Sequence, residues 1–326
     1  MSFYKPVETF GVIETTGITK ASKRIDKLVI LSFLAGIYIS FGAIAALIAG
    51  GRIADRGIGL LVYAAVFPVG LMFVIIAGAE LFTGNTMFLI PGLLHKRIYV
   101  LDLLRVWFYS FFFNFAASYF VALVLQSSIN VSPVDDFLRS IVIGKLSYGF
   151  WIIFVRAVAA NWLVNLAIVL AYASNTIGGK ILGIWFTIFA FIVRRFRTCC
   201  CKHVLLLLAF FIGGTGITIG SMLLALLPAT LGNIIGGSGF VGVLYSYIHS
   251  VERSGRTVFP PPTPILSGEQ RKYSKRPPSP IIPHGDVASN SLVQGEATEP
   301  LRSQTGDFAV SRPPRGPVLR KEVLPP

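Results

Sequence analysis

A glutamate, Glu80, sits alone in the otherwise uncharged stretch Ile76-Ala-Gly-Ala-Glu80-Leu-Phe-Thr83-Gly-Asn85, where an ionisable group could serve an ion or substrate pathway. Glu80 is the only charged residue between Gly57 and Leu94. One reading makes it part of a path for an ion or substrate, because an ionisable group at membrane depth is costly and is kept for function. The other makes it a structural residue that caps a half-helix. Enzymatic chemistry finds little support: there is no Gly-rich phosphate loop, metal-spaced His pair or nucleophile elbow, and no cofactor is implied. The three cysteines, Cys199, Cys200 and Cys201, are adjacent, which suits neither a disulfide framework nor a spaced zinc site.

The elements that must carry Glu80 follow from length. The run 57–94 has 38 residues, and as one helix it would reach about 57 Å against a hydrocarbon core of roughly 30 Å. It holds no polar loop long enough for two ordinary spans. A single crossing by a broken helix is the economical solution, with the irregular backbone at Gly78 to Asn85 buried in protein or lining water. Composition agrees: 54% of residues are hydrophobic, 13% are charged and the mean hydropathy is +0.70, values of a polytopic membrane protein. The net charge of +14 does not call for nucleic acid. Its cations lie in the N-terminal arm, short loops and tail, where membrane lipid is sufficient partner.

Uncharged or nearly uncharged runs fall at 28–51, 57–94, 106–129, 146–179, 181–193 and 204–248. Taking 57–94 as one broken span and 181–225 as another gives an all-α protein of six crossings. Broken helices then fall in spans two and five, an aquaporin-like inverted repeat with its site at the midplane. Lys20, Lys23, Arg24 and Lys27 before span one, and His95-Lys96-Arg97 after span two, place both termini in the cytoplasm; Arg52 and Arg56 oppose that orientation. Residues 1–27 read as a cytoplasmic arm, 28–250 as the membrane domain and 251–326 as a tail. Most of the 19 prolines lie in that tail, among Ser, Gly, Arg and Lys, so it cannot bury enough apolar surface to fold. It serves either as a lipid-touching segment or as a solvated regulatory one. Asn130-Val-Ser132 would face outside as a glycan acceptor.

Three stretches resemble the formate/nitrite transporter (FNT) family: Ala77-Gly-Ala-Glu-Leu-Phe-Thr-Gly-Asn85, Ala160-Asn-Trp-Leu-Val-Asn-Leu-Ala167, and Leu227-Pro-Ala-Thr-Leu-Gly-Asn-Ile-Ile-Gly-Gly237 with Phe240-Val-Gly242. The second is partial, since family members usually carry cysteine where this chain has Ala160 and Asn165. The resemblance implies six-span protomers in a homopentamer, and the long tail points to a plasma membrane, with a bacterial inner membrane as the alternative. The protomers would carry formate, nitrite or a related small monocarboxylate together with a proton. The resemblance also implies roles. Phe67 and Leu71, one helical turn apart, match apolar pore constrictions. Glu80, Leu81, Phe82, Thr83, Gly84 and Asn85 form the loop of the first break, with Thr83 at the pore midpoint. Arg156 is similar to a basic residue that attracts anions at the entrance, and Asn161 and Asn233 belong to the pore. Apolar rings that exclude bulk water, with a cation at the mouth, are coherent for anion passage. Each has a plain alternative: packing for Phe67 and Leu71, snorkelling to headgroups for Arg156, interhelical hydrogen bonds for Asn161 and Asn233.

The resemblance fails in span five. Family members have Glu-His-x-x-Ala-Asn-Met at the second break, the histidine serving protonation of the anion, whereas this chain reads Arg194-Arg-Phe-Arg-Thr-Cys-Cys-Cys-Lys-His-Val204. Back-translation with the frame advanced by one base permits Ala-Gly-Phe-Glu-His-Val-Val-Ala-Asn-Met. The working hypothesis is therefore a frame or splice error near residues 193–205, and transcript sequencing that returns an uninterrupted frame would sink it. His203 aligns with no family histidine. Palmitoylation of the cysteines is the competing account of the Cys run. Two rival functions remain: an inactive membrane protein that recruits partners, favoured by the altered span five, and a water or glycerol pore. The latter predicts Asn-Pro-Ala at both breaks, and neither is present.

Overall fold

The computed structural model describes residues 3–128, 134–146, 148–193, 200–213 and 218–254. The tail beyond 254, the Asn130-Val-Ser132 tripeptide and residues 194–199 of the Arg/Cys run lie outside the described residues, as do the side chains of Cys200, Cys201 and His203. What is described is helical, with a lone bridge between Phe3 and Ser174.

The arm expected to precede the first span is itself a helix, α1 (Pro6–Ala21). Pro6 starts it, Glu8 in its first turn accepts from the Lys5 N–H at 2.9 Å, and Lys20 sits in its last turn. That charge order suits the helix dipole. Then follow α2 (Ile25–Gly51), α3 (Arg56–Val66), α4 (Val69–Ala77), α5 (Phe82–Leu94) and α6 (Val100–Ser128). Asp55 caps α3 by accepting from the Ile58 N–H at 2.8 Å, and Pro68 marks the bend between α3 and α4. A short amphipathic helix, α7 (Asp135–Leu146), precedes α8 (Phe150–Ala173), α9 (Ile177–Val193), α10 (Cys200–Ile212) and α11 (Ile219–Ile234). A π-helical segment, Ile235–Val243, continues α11 into α12 (Leu244–Ser254).

Among the described residues, five helical stretches are long and apolar enough to cross a bilayer: Ile25–Gly51, Arg56–Ala77, Val100–Gln126, Phe150–Ala173 and Ile219–His249. Two shorter apolar helices, Phe82–Leu94 and Ile177–Ala190, accompany them. The expected second crossing is thus Arg56–Ala77 followed, after a break, by α5. The expected stretch 181–225 ends earlier. Gly213, at φ 76°, closes α10, and Thr218 caps α11 through the Ser221 N–H at 3.1 Å.

The two halves exchange elements. α5 packs against α8 and the π-helical segment of the second half, while α10 packs against α2 and α6 of the first. This is the packing that an inverted repeat requires of its half-helices. Within the first half, α2 approaches α6 and α4 closely through Gly36 and Gly42. A Cβ at Gly36 would stand 2.6 Å from Ala117 Cβ, and one at Gly42 would stand 2.6 Å from Gly70 N.

Candidate functional site

The break between α4 and α5 is shorter than the sequence implies, covering Gly78 to Leu81 only. Phe82 to Asn85 already form the first turn of α5. Gly78 ends α4 in the left-handed region at φ 81°, where an L side chain is strained. The released backbone is re-paired by neighbours. The Glu80 N–H donates to Leu31 O on α2 at 3.1 Å. On α6, Asn114 Oδ1 accepts from the Phe82 N–H at 2.8 Å, and its Nδ2 donates to Glu80 O (3.0 Å) and Ser32 O (2.6 Å). One buried amide therefore fixes the backbone on either side of Leu81 and ties it to α2, which meets the demand for internal satisfaction inside a bilayer. The signal for Asn114 was present in the sequence, as the lone polar residue of Phe111-Phe-Phe-Asn-Phe115, and was not used.

Glu80 is fully buried and is not alone. Lys20 Nζ lies 2.7 Å from Oε2 and Lys23 Nζ 2.5 Å from Oε1, from the end of α1 and the turn that follows it. Two ammonium groups face one carboxylate, so the cluster carries an excess positive charge. Burial pulls the Lys20 ammonium below the ordinary lysine value, and the adjacent Glu80 carboxylate opposes that pull.

Several contacts seat α1. Gly17 crosses α5 so closely that a Cβ there would stand 1.9 Å from Phe88 O. Lys20 Nζ lies 4.9 Å from the centre of the Phe88 ring. Glu14 meets His95 at 2.8 Å, Phe10 stacks on Tyr245 at 4.9 Å, and the Arg105 guanidinium donates to the Ala21 carbonyl at the helix end. Beneath α1 lies a cavity of about 130 Å³ whose lining includes Lys20, Lys23, Glu80, Leu81, Asn85 and Tyr172.

On the other side of the first turn of α5 lies a second polar group. Asn161 Nδ2 reaches Thr86 Oγ1 (3.1 Å), Thr83 O (3.3 Å) and Asn233 O (2.6 Å), and Asn165 Nδ2 reaches Thr83 O at 3.2 Å. Ser238 in the π-helical segment donates to Thr86 O at 2.7 Å. The side-chain oxygens of Asn161 and Asn165, and both amide atoms of Asn233 and Asn85, are buried without a hydrogen-bond partner. Buried amide atoms left unpaired are expensive, and they call for water or a ligand in the working protein.

Going away from α1, Val74 and Ile75 line the cavity, and Leu71 and then Phe67 follow along the chain. Both are almost fully buried, and the Tyr63 ring stacks on Phe67 at 5.9 Å. Phe82 does not face the cavity: its ring packs edge-on against Phe111 at 5.2 Å. Thr83 contributes its carbonyl to the amide group and is not part of the cavity lining. Arg156 lies over the Tyr148 ring at 4.2 Å, near the start of α8. At helical rise it is about 24 Å along α8 from Tyr172, toward the opposite end of the bundle from the cavity.

Residues 7–247 match the family model described as formate/nitrite transporter. The chain belongs to that family. A probable formate transporter of Methanothermobacter thermautotrophicus is 40% identical over 277 residues, covering 77% of this chain and 99% of the relative. Formate channel BtFdhC of Bacillus thuringiensis is 34% identical over 258 residues, covering 78% of this chain and 99% of the relative. Among solved structures, an FNT family ion channel superposes with a TM-score of 0.68 at 28% identity, covering 74% of this chain and 98% of that one. A pentameric formate channel with formate bound superposes with a TM-score of 0.61 at 21% identity, covering 69% of this chain and 98% of that one, and it supports the fold alone.

The FNT fold expected from Glu80 and its neighbours is therefore present. The cations on Glu80 are what sequence reading missed. Lys20 and Lys23 stood in the sequence as orientation signals, and nothing local ties them to a carboxylate 57 or more positions away.

Proposed function

We propose that the chain carries a small monovalent monocarboxylate, formate or a close relative, or nitrite, through the membrane, and that the substrate moves with a proton. The observation that carries this is the cavity at the helix break. It is built into the helix bundle and has two ammonium groups against one carboxylate, and beyond its lining residues Val74 and Ile75 the chain continues to the buried apolar side chains of Leu71 and Phe67, which we read as an apolar seal. A weak acid can be drawn in as the anion by the excess positive charge. It then crosses the apolar stretch most cheaply as the neutral acid, because burying a bare anion there is prohibitive. The names of the relatives point to the same substrates, and to a transport protein rather than an enzyme.

The same reading takes in the site residues Phe67, Leu71, Glu80, Leu81, Gly84 and Asn85 on the path, with Thr83, Asn161 and Asn233 at its polar midpoint. Arg156 then serves the far mouth. Six crossings, a cytoplasmic arm over residues 1–27, a membrane domain over 28–250 and a cytoplasmic tail over 251–326 in the plasma membrane complete it. A homopentamer is the proposed assembly. Leu223, Leu224 and Leu227 on α11, and Leu101, Leu104, Phe108 and Phe112 on α6, leave apolar faces for lipid and for neighbouring protomers.

The test is uptake of labelled formate into proteoliposomes at acidic and at neutral external pH. Saturable uptake that is faster on the acidic side supports the reading. Absence of uptake by correctly assembled protein refutes it. It would leave the inactive membrane protein, the reading suggested by the missing span-five histidine motif.

A further inference from the structure

Asn85 combines a fixed backbone with an unused side chain. Its N–H donates to Leu81 O at 2.9 Å, and its carbonyl accepts from Trp107 Nε1 at 3.1 Å, so the residue is anchored in the first turn of α5. Asn85 is among the residues around the cavity beneath α1, and its Nδ2 and Oδ1 are both buried and both lack a hydrogen-bond partner. Leaving both edges of an amide unpaired is costly, and a polar cavity beside it is where a partner would come from.

The amide edge offers one donor beside one acceptor. A protonated carboxylic acid offers the complementary edge: its O–H donates to Oδ1 while its carbonyl accepts from Nδ2. A carboxylate anion only accepts, so it satisfies Nδ2 and sets its negative charge against Oδ1. Asn85 is thus matched to the neutral form. The Lys20 and Lys23 ammonium groups, which line the same cavity, are matched to the anion.

We infer that Asn85 is a specificity-determining residue that pairs with the protonated acid through two hydrogen bonds. The inference rests on the transport reading above and deepens it. The cavity then holds the substrate in two forms: the anion near the lysines and the neutral acid at Asn85, facing Leu71 and Phe67. The proton balance is simple. A carboxylate oxygen takes one proton from water on the entry side, the O–H travels with the molecule, and the proton returns to water on the exit side. No protein group changes its protonation in the cycle. This accounts for discrimination in favour of the acid by a chain that lacks the family's span-five histidine motif.

The test compares wild type, Asn85→Leu and Asn85→Asp in proteoliposomes with labelled formate over a range of external pH. Asn85→Leu keeps the branching and the number of side-chain heavy atoms and removes both hydrogen bonds. Its half-saturating formate concentration at acidic pH is expected to rise about 10- to 100-fold, each of the two lost bonds contributing roughly a factor of three to ten. Asn85→Asp is nearly isosteric and keeps the backbone anchors, so it decides the matter if the leucine variant does not assemble. An aspartic acid is neutral only when protonated, with an ordinary pKa near ~4. Its uptake is therefore expected to fall more steeply than wild type between acidic and neutral pH, a crossover that a merely structural role does not produce. Two variants with wild-type half-saturation and wild-type pH profile would overturn the role of Asn85 and leave transport standing. No uptake by wild type would remove the transport reading, and this inference with it.

Discussion

Neutralising Glu80 should harm the protein more than neutralising its whole cluster. Glu80→Gln leaves the ammonium groups of Lys20 and Lys23 converging on a site with no carboxylate. Removing one member of a buried ion pair costs roughly 3–5 kcal/mol, because the remaining charge is left uncompensated. Glu80 has 1% of its side chain exposed, Lys20 10% and Lys23 25%. Partial hydration of Lys23 puts the single variant at the lower end, about 3 kcal/mol. Lys20→Met with Lys23→Met strands the carboxylate instead, in the most buried position of the three, and belongs nearer ~5 kcal/mol. The triple variant E80Q/K20M/K23M has no charge to strand and should return to within about 1 kcal/mol of wild type, as apolar replacement of buried charge clusters commonly does. On a domain of this size each kcal/mol moves the thermal midpoint by roughly 2–4 °C. The midpoint in detergent should therefore drop about 6–12 °C for Glu80→Gln and recover in the triple variant. A triple variant less stable than either parent would refute the reasoning, since the residues would then contribute independently.

Other predictions concern the frame around the cluster. Gly17→Val should displace α1 from α5, because its Cβ would stand 1.9 Å from Phe88 O. Limited proteolysis should then cut within residues 6–21, where the wild type resists. Asn114→Leu removes three hydrogen bonds that satisfy the break. At about 1–3 kcal/mol for each buried group left unpaired, it should fail to assemble or lose at least ~3 kcal/mol, read by the thermal midpoint. Phe67→Ala with Leu71→Ala thins the apolar seal, and flux of a permanently charged anion such as thiocyanate should rise several-fold over wild type. Unchanged thiocyanate flux would mean that the barrier lies elsewhere.

The break was legible because a membrane sets a length scale. Residues 57–94 are too long for one helix and too apolar for a loop, and Gly78 supplies the hinge at positive φ. How far the irregular backbone extends was not legible. Phe82 to Asn85 read as loop until Asn114, on another helix, takes up the Phe82 N–H and lets α5 begin there. The same limit hid the partners of Glu80. Lys20 and Lys23 belong to a polar stretch whose composition fits an unstructured arm, and only packing of Gly17 on Phe88 brings them to the site. The π-helical segment Ile235–Val243 has no period that distinguishes it from α-helix in sequence, although Gly236 and Gly237 mark a close approach. The resemblance placed Arg156 at an entrance. Its position near the start of α8 sets it about 24 Å along that helix from Tyr172, which lines the cavity of the lysine cluster.

The central claim is that a weak acid crosses at the break carrying its own proton. Proteoliposomes loaded with a pH-sensitive dye and given labelled formate measure both quantities together. The account predicts that formate enters and that the interior acidifies in step, one proton for each formate, with no dependence on membrane potential. Formate entry without acidification, or no entry at all, would contradict it.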